Sequence, residues 1–572
     1  MAKVKPAHAK CSKILTSFRG LGSVDMFVDD GAQEMVNFRI SDEGNLEKRE
    51  GIRLLNYTYA MIRGYWEGTL GGYHYRFCVA GNTVYMVDGD DMYFSHYYTL
   101  STHYGDVDFC EMDGYLYLFD GKTVLCFDPN YYIFSEVQPY APLIGVNWHP
   151  TSMGDSNELP NLLTPRMRVH YLNTSGATVF YLPYYAKTID CVLVGGNQVY
   201  EYTFAENSNY VTIPSAADAS EVVIAFSAPF DETTRNQLLR AKRAFSFTQS
   251  GTSTMLIYGT EDTYKIYNTT PVTNYMRNYC DVFYPYTSPL YVTSRDVLFV
   301  GDSTDHVVTV CPHYDTPLIF NRHSIRMLYR EEGEFCTKLL RNDIGCVPRN
   351  GAQLCGDAVL TISDTGVYRI TSKASAPDDI TVERVSDKVE TRLQDYVAED
   401  SIVFWNSLHR ELWICTPQDE FGTIWVWNDR RREWYQFDNL PANGFFHSKT
   451  YGICCWNGNS VYAFTPGLFS DDGNSYNTAY VSKFLDLGNP DIVHRSMHWS
   501  ITASVANGAA NVVIYTTYGA NQYQLRKAVT NNQPEYYEGR IHTVRHRYFR
   551  FRFSTTGSQN AKLYRAAFYA KN

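Results

Sequence analysis

One kind of segment recurs along most of this chain: a short apolar run, a turn carrying Gly or Asp, then a second apolar run. Gly81-Asn-Thr-Val-Tyr-Met-Val-Asp88 and Asp113-Gly-Tyr-Leu-Tyr-Leu-Phe-Asp-Gly-Lys-Thr-Val-Leu-Cys-Phe-Asp128 show it early. Asp296-Val-Leu-Phe-Val-Gly301 and residues 318–328 and 357–370 continue it. Glu411-Leu-Trp-Ile-Cys415, Ile424-Trp-Val-Trp427, Trp434-Tyr-Gln-Phe437 and Asn459-Ser-Val-Tyr-Ala-Phe464 complete the series. Asp-Gly and related turns between alternating runs are strong hairpin signals. Hairpins returning about every 30–50 residues are what radially repeated sheets look like in sequence. These patterns predict an all-β chain, with a six- or seven-bladed β-propeller spanning about residues 57–466.

Composition agrees. Tyr supplies 47 of the 572 residues and aromatics reach 15%, which favours pleated, half-buried surfaces over helices. Between residues 141 and 235 the rhythm changes to five or six short strands, among them Ala177-Thr-Val-Phe-Tyr-Leu-Pro183 and Glu221-Val-Val-Ile-Ala-Phe226. We expect a small β-sandwich inserted there, since insertions at loop tips are cheap in closure entropy. The expected organisation is an N-terminal arm and hairpin (1–56), first blades (57–140), the insert (141–235), remaining blades (236–466) and a C-terminal β-sandwich-like domain (467–572). No window approaches the ~18 uncharged apolar residues of a spanning helix. Met1 to Gly20 mixes Lys3, Lys5, Lys10, Lys13 and Arg19 with polar residues, unlike a secretory leader.

The formal charge of −11 is unevenly spread. Residues 479–572 hold twelve Lys/Arg and four Asp/Glu, so this piece is +8 and the remainder −19. A body of that sign argues against blanket affinity for nucleic acid. The cationic part centres on Arg545, Arg547, Arg550 and Arg552, where Arg550 and Arg552 alternate with Phe549, Phe551 and Phe553. That spacing predicts a strand with one apolar and one cationic face. Thirteen cysteines without a Cys-x-x-Cys pair predict reduced, mostly buried thiols.

Catalytic arrangements are missing from the sequence. There is no Gly-x-Ser-x-Gly elbow, His-Glu-x-x-His pair or phosphate loop. The acidic turns at 88–91, 302–305 and 470–473 lack the spaced carboxylates and closing Glu of a calcium loop. Ser363-Asp-Thr-Gly-Val-Tyr368 has a sialidase Asp-box flavour but occurs once and with different spacing. No cofactor, metal or catalytic residue is expected, and the chain is not expected to be an enzyme.

The segment Gly44-Asn-Leu-Glu-Lys-Arg-Glu-Gly51, preceded by Asn37 and followed by Leu54-Leu55, resembles the leading segment of tail hub and nozzle proteins of short-tailed bacteriophages and related prophages. That family includes the packaged-DNA-stabilisation proteins. Ile52 stands where a small polar residue is common in the family. The resemblance extends more weakly to the inserted sandwich, to residues 318–325 and Ser363-Asp-Thr-Gly-Val-Tyr368 as blade strands, and to Lys483-Phe-Leu-Asp-Leu-Gly488. It implies a structural virion protein forming a ring, a hexamer in the relatives, beneath the portal and adaptor. The ring would retain packaged double-stranded DNA and conduct it without sequence recognition. It implies assembly in the host cytoplasm and residence in the virion tail. On that basis the hairpin at 42–51, with Asp42, Glu47, Lys48 and Arg49, and the basic strand with Arg545, Arg547, Arg550 and Arg552 are candidate inter-subunit or inter-ring contacts. The alternatives are a receptor- or glycan-binding propeller of the same virion, read out by exposed tyrosines, and a propeller glycosidase.

Overall fold

The computed structural model describes residues 12–25, 31–269 and 290–570, apart from 153, 155, 250, 262, 394–396, 416–421, 439, 441, 489, 490, 492, 506–508, 517, 518 and 527–532. Lys3, Lys5 and Lys10 of the N-terminal arm therefore lie outside the described residues. The described chain is all-β with a few short helical turns, in two compact units: 63–87 with 94–342, and 1–62 with 88–93 and 343–572. No helix among the described residues is long and apolar enough to cross a membrane.

The first unit holds four successive four-stranded antiparallel sheets. They begin at Ile62–Leu70, Asp108–Met112, Arg243–Gln249 and Val307–Cys311. Each strand turns alternate residues to opposite faces, and in the second and third sheets both faces are buried against a neighbouring sheet. In the second sheet Leu116, Leu118, Leu125 and Phe127 pack with Phe77 and Val79 of the first. The intervening Tyr117, Phe119 and Cys126 pack with Met255 and Ile257 of the third. The third sheet in turn gives Leu256, Tyr258 and Ile266 to a core with Ile319 and Leu328 of the fourth. This two-sided burial explains why these strands read as continuous apolar runs and not as half-polar alternations. The turn from Asp108–Met112 into its partner Tyr115–Phe119 is as the Asp-Gly pair demands: Asp113 and Gly114 sit at φ 53° and 78°.

Between the second and third sheets lies the insert. A five-stranded sheet, in the order Leu143–Trp148, Arg166–Leu172, Glu221–Ser227, Thr188–Val194 and Asn197–Gln198, shares one core with the pair Val179–Ala186 and Ser208–Thr212. Phe180, Leu182 and Val211 of the pair meet Val169, Val192 and Ile224 of the larger sheet.

The second unit continues with four-stranded sets beginning at Ala352–Cys355, Ile402–Asn406 and Gly444–Ser448. The last has only three strands of its own. Its fourth is Gly51–Tyr57, which runs antiparallel to Ser460–Thr465 from four hundred residues upstream. The set ending at Glu433–Phe437 grows instead into a nine-stranded sheet: Ala32–Val36 adds to its edge, followed by Asn477–Ser482, Phe549–Thr556, Ala509–Thr516 and Gly519–Arg526. A six-stranded sheet of Phe38–Ile40, Leu46–Lys48, Ala561–Ala570, His494–Val505 and Glu535–His546, with Ser12–Leu15 on Ala561–Ala570, packs against it. Phe38, Phe551, Phe553 and Phe568 interdigitate in the shared core. Two expectations are corrected here. Residues 1–56 are no separate arm, because their described strands complete two sheets of the C-terminal part and the last four-stranded set. The C-terminal sandwich, in consequence, is not built from 467–572 alone.

Candidate functional site

The hairpin at 42–51 was expected to face a neighbour; its strands Phe38–Ile40 and Leu46–Lys48 instead spend their charges within the chain. Arg49 is 1% exposed. Its Nη1 and Nη2 donate to Asp471 Oδ1 and Oδ2 at 2.9 and 2.6 Å, and its Nε to Asn37 Oδ1 at 2.9 Å. The guanidinium also lies 3.9 Å from the ring centre of Tyr476, whose hydroxyl donates to the Arg49 carbonyl. Lys48 sits 4.1 Å from the same ring and donates to the Gly557 carbonyl. Burial, reinforced by Arg49 and opposed by Asp471, pushes Lys48 down to about 8. Lys48 and Arg49 are therefore withdrawn as contact residues: buried charges need internal partners, and these have them. Asp42 pairs with Arg430, and Glu47 with Lys562 at 2.9 Å; both pairs are part-exposed on the surface of their unit.

A second buried node stands one strand away. Glu411, fully buried, accepts from Arg39 Nε at 2.6 Å, Trp413 Nε1 at 2.9 Å and the Tyr435 hydroxyl at 2.6 Å. Arg39 also reaches Glu50 at 2.7 Å. Burial would raise Glu50, but Arg39 and His409 outweigh it and hold the carboxyl well below its ordinary range. Sequence reasoning missed Arg39, Asp471 and Glu411. Only the proximity of Arg39 to the recognised segment could have flagged one of them.

The basic segment is likewise rearranged. Alternation in Phe549–Thr556 is as expected, with Phe549, Phe551 and Phe553 buried and Arg550 and Arg552 half-exposed. The cationic run is not one strand, however. Arg545 ends Glu535–His546 in the six-stranded sheet, Arg547 and Tyr548 form the bend, and Arg550 and Arg552 belong to the nine-stranded sheet. The four arginines thus divide: Arg545 and Arg547 are exposed at the crossing between sheets, while Arg550 and Arg552 lie on a sheet face.

In two of the acidic turns the carboxylates are engaged by other groups of the chain. Asp302 Oδ1 accepts from the Thr304 and Asp305 amides, Asp305 from Ser324 and the His323 amide, and Asp471 from Arg49. Ser363 and Gly366 pair across a two-residue turn, so the Asp-box-like stretch is a hairpin tip. Among the described residues no three His, Cys, Asp or Glu side chains gather as a metal ion would require. The eleven described cysteines are free, and all but Cys336 are buried. Among tyrosines that adjoin a second tyrosine in sequence, Tyr97 packs on Phe77 and Phe134, whereas Tyr131, Tyr132 and Tyr536 are exposed. The insert carries a further exposed set: Tyr181 and Tyr210 face each other across its small sheet, with ring centres 6.1 Å apart, and Tyr184, Tyr185 and Tyr200 are exposed as well.

In comparisons with known proteins, no family model matches the chain and no curated protein matches it in sequence.

Proposed function

We propose that this chain is a non-enzymatic structural protein of a short-tailed bacteriophage virion, one subunit of a ring below the portal and adaptor. In this role the ring helps retain packaged DNA and conducts it during ejection. The seven four-stranded sets are, on this reading, the blades of a seven-bladed propeller. One observation carries it: the strand that closes the seventh set, Gly51–Tyr57, follows directly on the Gly44–Gly51 segment on which the family resemblance rests. Closing the last blade with an N-terminal strand ties the two ends of a radial array together and removes its free edge. The succession of shared cores within the first unit, in which the second and third sheets each pack one face on the sheet before and one on the sheet after, supports the same arrangement. An acidic body suits a conduit, because phosphates slide past carboxylates where Lys and Arg would hold them.

The decisive experiment is the mass of the purified chain, alone and with its portal-complex neighbours, followed by imaging of any assembly. A closed ring, six-fold as in the relatives, is the expected result. A monomer that ignores those neighbours overturns the proposal. The exposed tyrosines of the insert favour a second reading, receptor or glycan binding, since aromatic faces stack on sugars. Loss of glycan-array binding in a Tyr181→Ala, Tyr210→Ala protein would support it.

A further inference from the structure

The outward face of the nine-stranded sheet forms a trough. Register places Glu34, Val481 and Arg552 in one row across three strands, and Val36, Ala479 and Ser554 in the next. Their neighbours in sequence, Met35, Tyr480, Phe551 and Phe553, fill the core on the opposite face. Although Val481 and Ala479 point outward, each is only 5% exposed, because longer side chains wall them in. Two adjoining hollows of about 400 and 320 Å³ share Glu34 and Arg552.

The walls differ in charge. The larger hollow sets Arg392, Arg550 and Arg552 against Glu34 alone, whereas in the smaller Arg552 stands against Glu34 and Asp438, with the amides Asn37 and Asn477. Arg550 is fixed: it stacks 4.7 Å from the ring centre of Tyr515 and donates to the Gln33 side chain. The Arg552 guanidinium makes no hydrogen bond or ion pair with a described residue. A narrow floor of small and branched residues with polar walls suits an extended polypeptide, whose side chains alternate as the rows do. Nucleic acid suits it less. A phosphate backbone is negative at every step and would meet both Glu34 and Asp438, whereas a peptide can place a single carboxylate in the larger hollow, where three arginines face one acid.

We propose that this trough receives an extended, carboxylate-bearing segment of a second copy of this chain, with Arg552 and Arg550 holding the carboxylate. The proposal rests on the ring reading above and names the contact that builds the ring. Charge complementarity selects a second copy: outside residues 479–572 each chain carries −19, against +8 within them. A guanidinium meets a carboxylate through two parallel N–H donors, a geometry that lysine lacks.

The test is self-association of the full chain, measured by mass photometry and sedimentation velocity at 50, 150 and 500 mM NaCl. Arg552→Ser is expected to weaken association about tenfold and the Arg550→Ser, Arg552→Ser double variant further, with Arg552→Lys only partly restoring it. Arg495→Ser, which removes an equal charge from an exposed position of the same C-terminal part, is the control and should associate as wild type. A thermal melt of each variant separates lost contact from lost fold. Wild-type-like rings from a folded double variant would overturn the trough contact and leave the ring reading standing. A wild-type chain that stays monomeric at every concentration would overturn both. Duplex DNA binding that depends on Arg552 would replace the second copy with nucleic acid and equally refute the proposal.

Discussion

Arg49 and Asp471, 422 positions apart in sequence, meet in a two-point ion pair beneath the ring of Tyr476. The pair joins the segment that leads into Gly51–Tyr57 to the turn that leaves the seventh four-stranded set. Removing one partner leaves a buried charge without compensation. Asp471→Ala and Arg49→Ala should each lower stability by about 3–5 kcal/mol. The Arg49→Met, Asp471→Leu double variant should lie closer to wild type than either single change. Urea midpoints decide this, and additive losses would show that the pair is not coupled.

Lys48 gives the same region a pH response of definite sign. Its folded value near 8 lies below the ordinary 10.5. Between those limits the unfolded chain holds a proton that the folded chain has released, so stability rises with pH by up to about 1.4 kcal/mol per unit. Wild type should gain on Lys48→Met between pH 8 and 9.5 in chemical denaturation. Parallel profiles would contradict the burial of the amine.

Glu50 acts in the opposite direction and at the other end of the scale. Because Arg39 and His409 depress its folded pKa, its contribution is complete above about pH 4.5 and declines as acid approaches the folded value. Glu50→Gln should therefore flatten the acid limb of the stability profile and leave the region above pH 6 displaced but parallel.

Gly51 is held by a close approach. A Cβ there would stand 2.0 Å from the Ser470 carbonyl oxygen, and the Gly51 amide donates to Leu468 at 2.7 Å. Since the contact is backbone and cannot swing aside, Gly51→Ala should destabilise by roughly 2 kcal/mol or more. Hydrogen exchange in Ser460–Thr465 is the local readout. Unchanged protection there would mean the strand tolerates the displacement.

The described thiols differ in access. Burial pushes Cys415 up to about 12, and Cys336 alone among the eleven is part-exposed. In a Cys11→Ser, Cys280→Ser background, one thiol per folded chain should react quickly with a disulfide reagent. That reaction should vanish in Cys336→Ser.

How much of this was legible depended on the range of the interaction. The Asp113-Gly114 turn and the alternation of Phe549, Phe551 and Phe553 with Arg550 and Arg552 follow from local rules and could be read directly. The bend at Arg547–Tyr548 could not, because the basic composition runs through it without a break while the chain changes sheet. Lys48 and Arg49 looked like surface charges for a related reason. Their partners Asp471, Tyr476 and Gly557 lie more than four hundred positions away, and no pattern within a window of 20 residues reports a pairing of that span. The same holds for Ala32–Val36, whose parallel bridge to Gln436 turns a four-stranded set into part of a nine-stranded sheet.

The long span between Gly51–Tyr57 and its partner Ser460–Thr465 has a consequence for synthesis. The ribosome must add some four hundred residues after the first of these strands before the second exists, which at about 5–20 residues per second takes roughly 20–80 s. Throughout that interval the strand has unsatisfied amides and carbonyls on offer to any passing edge. The nascent chain is thus under pressure to keep this early strand from pairing wrongly, and crowded polysomes making many copies at once are where it would go astray.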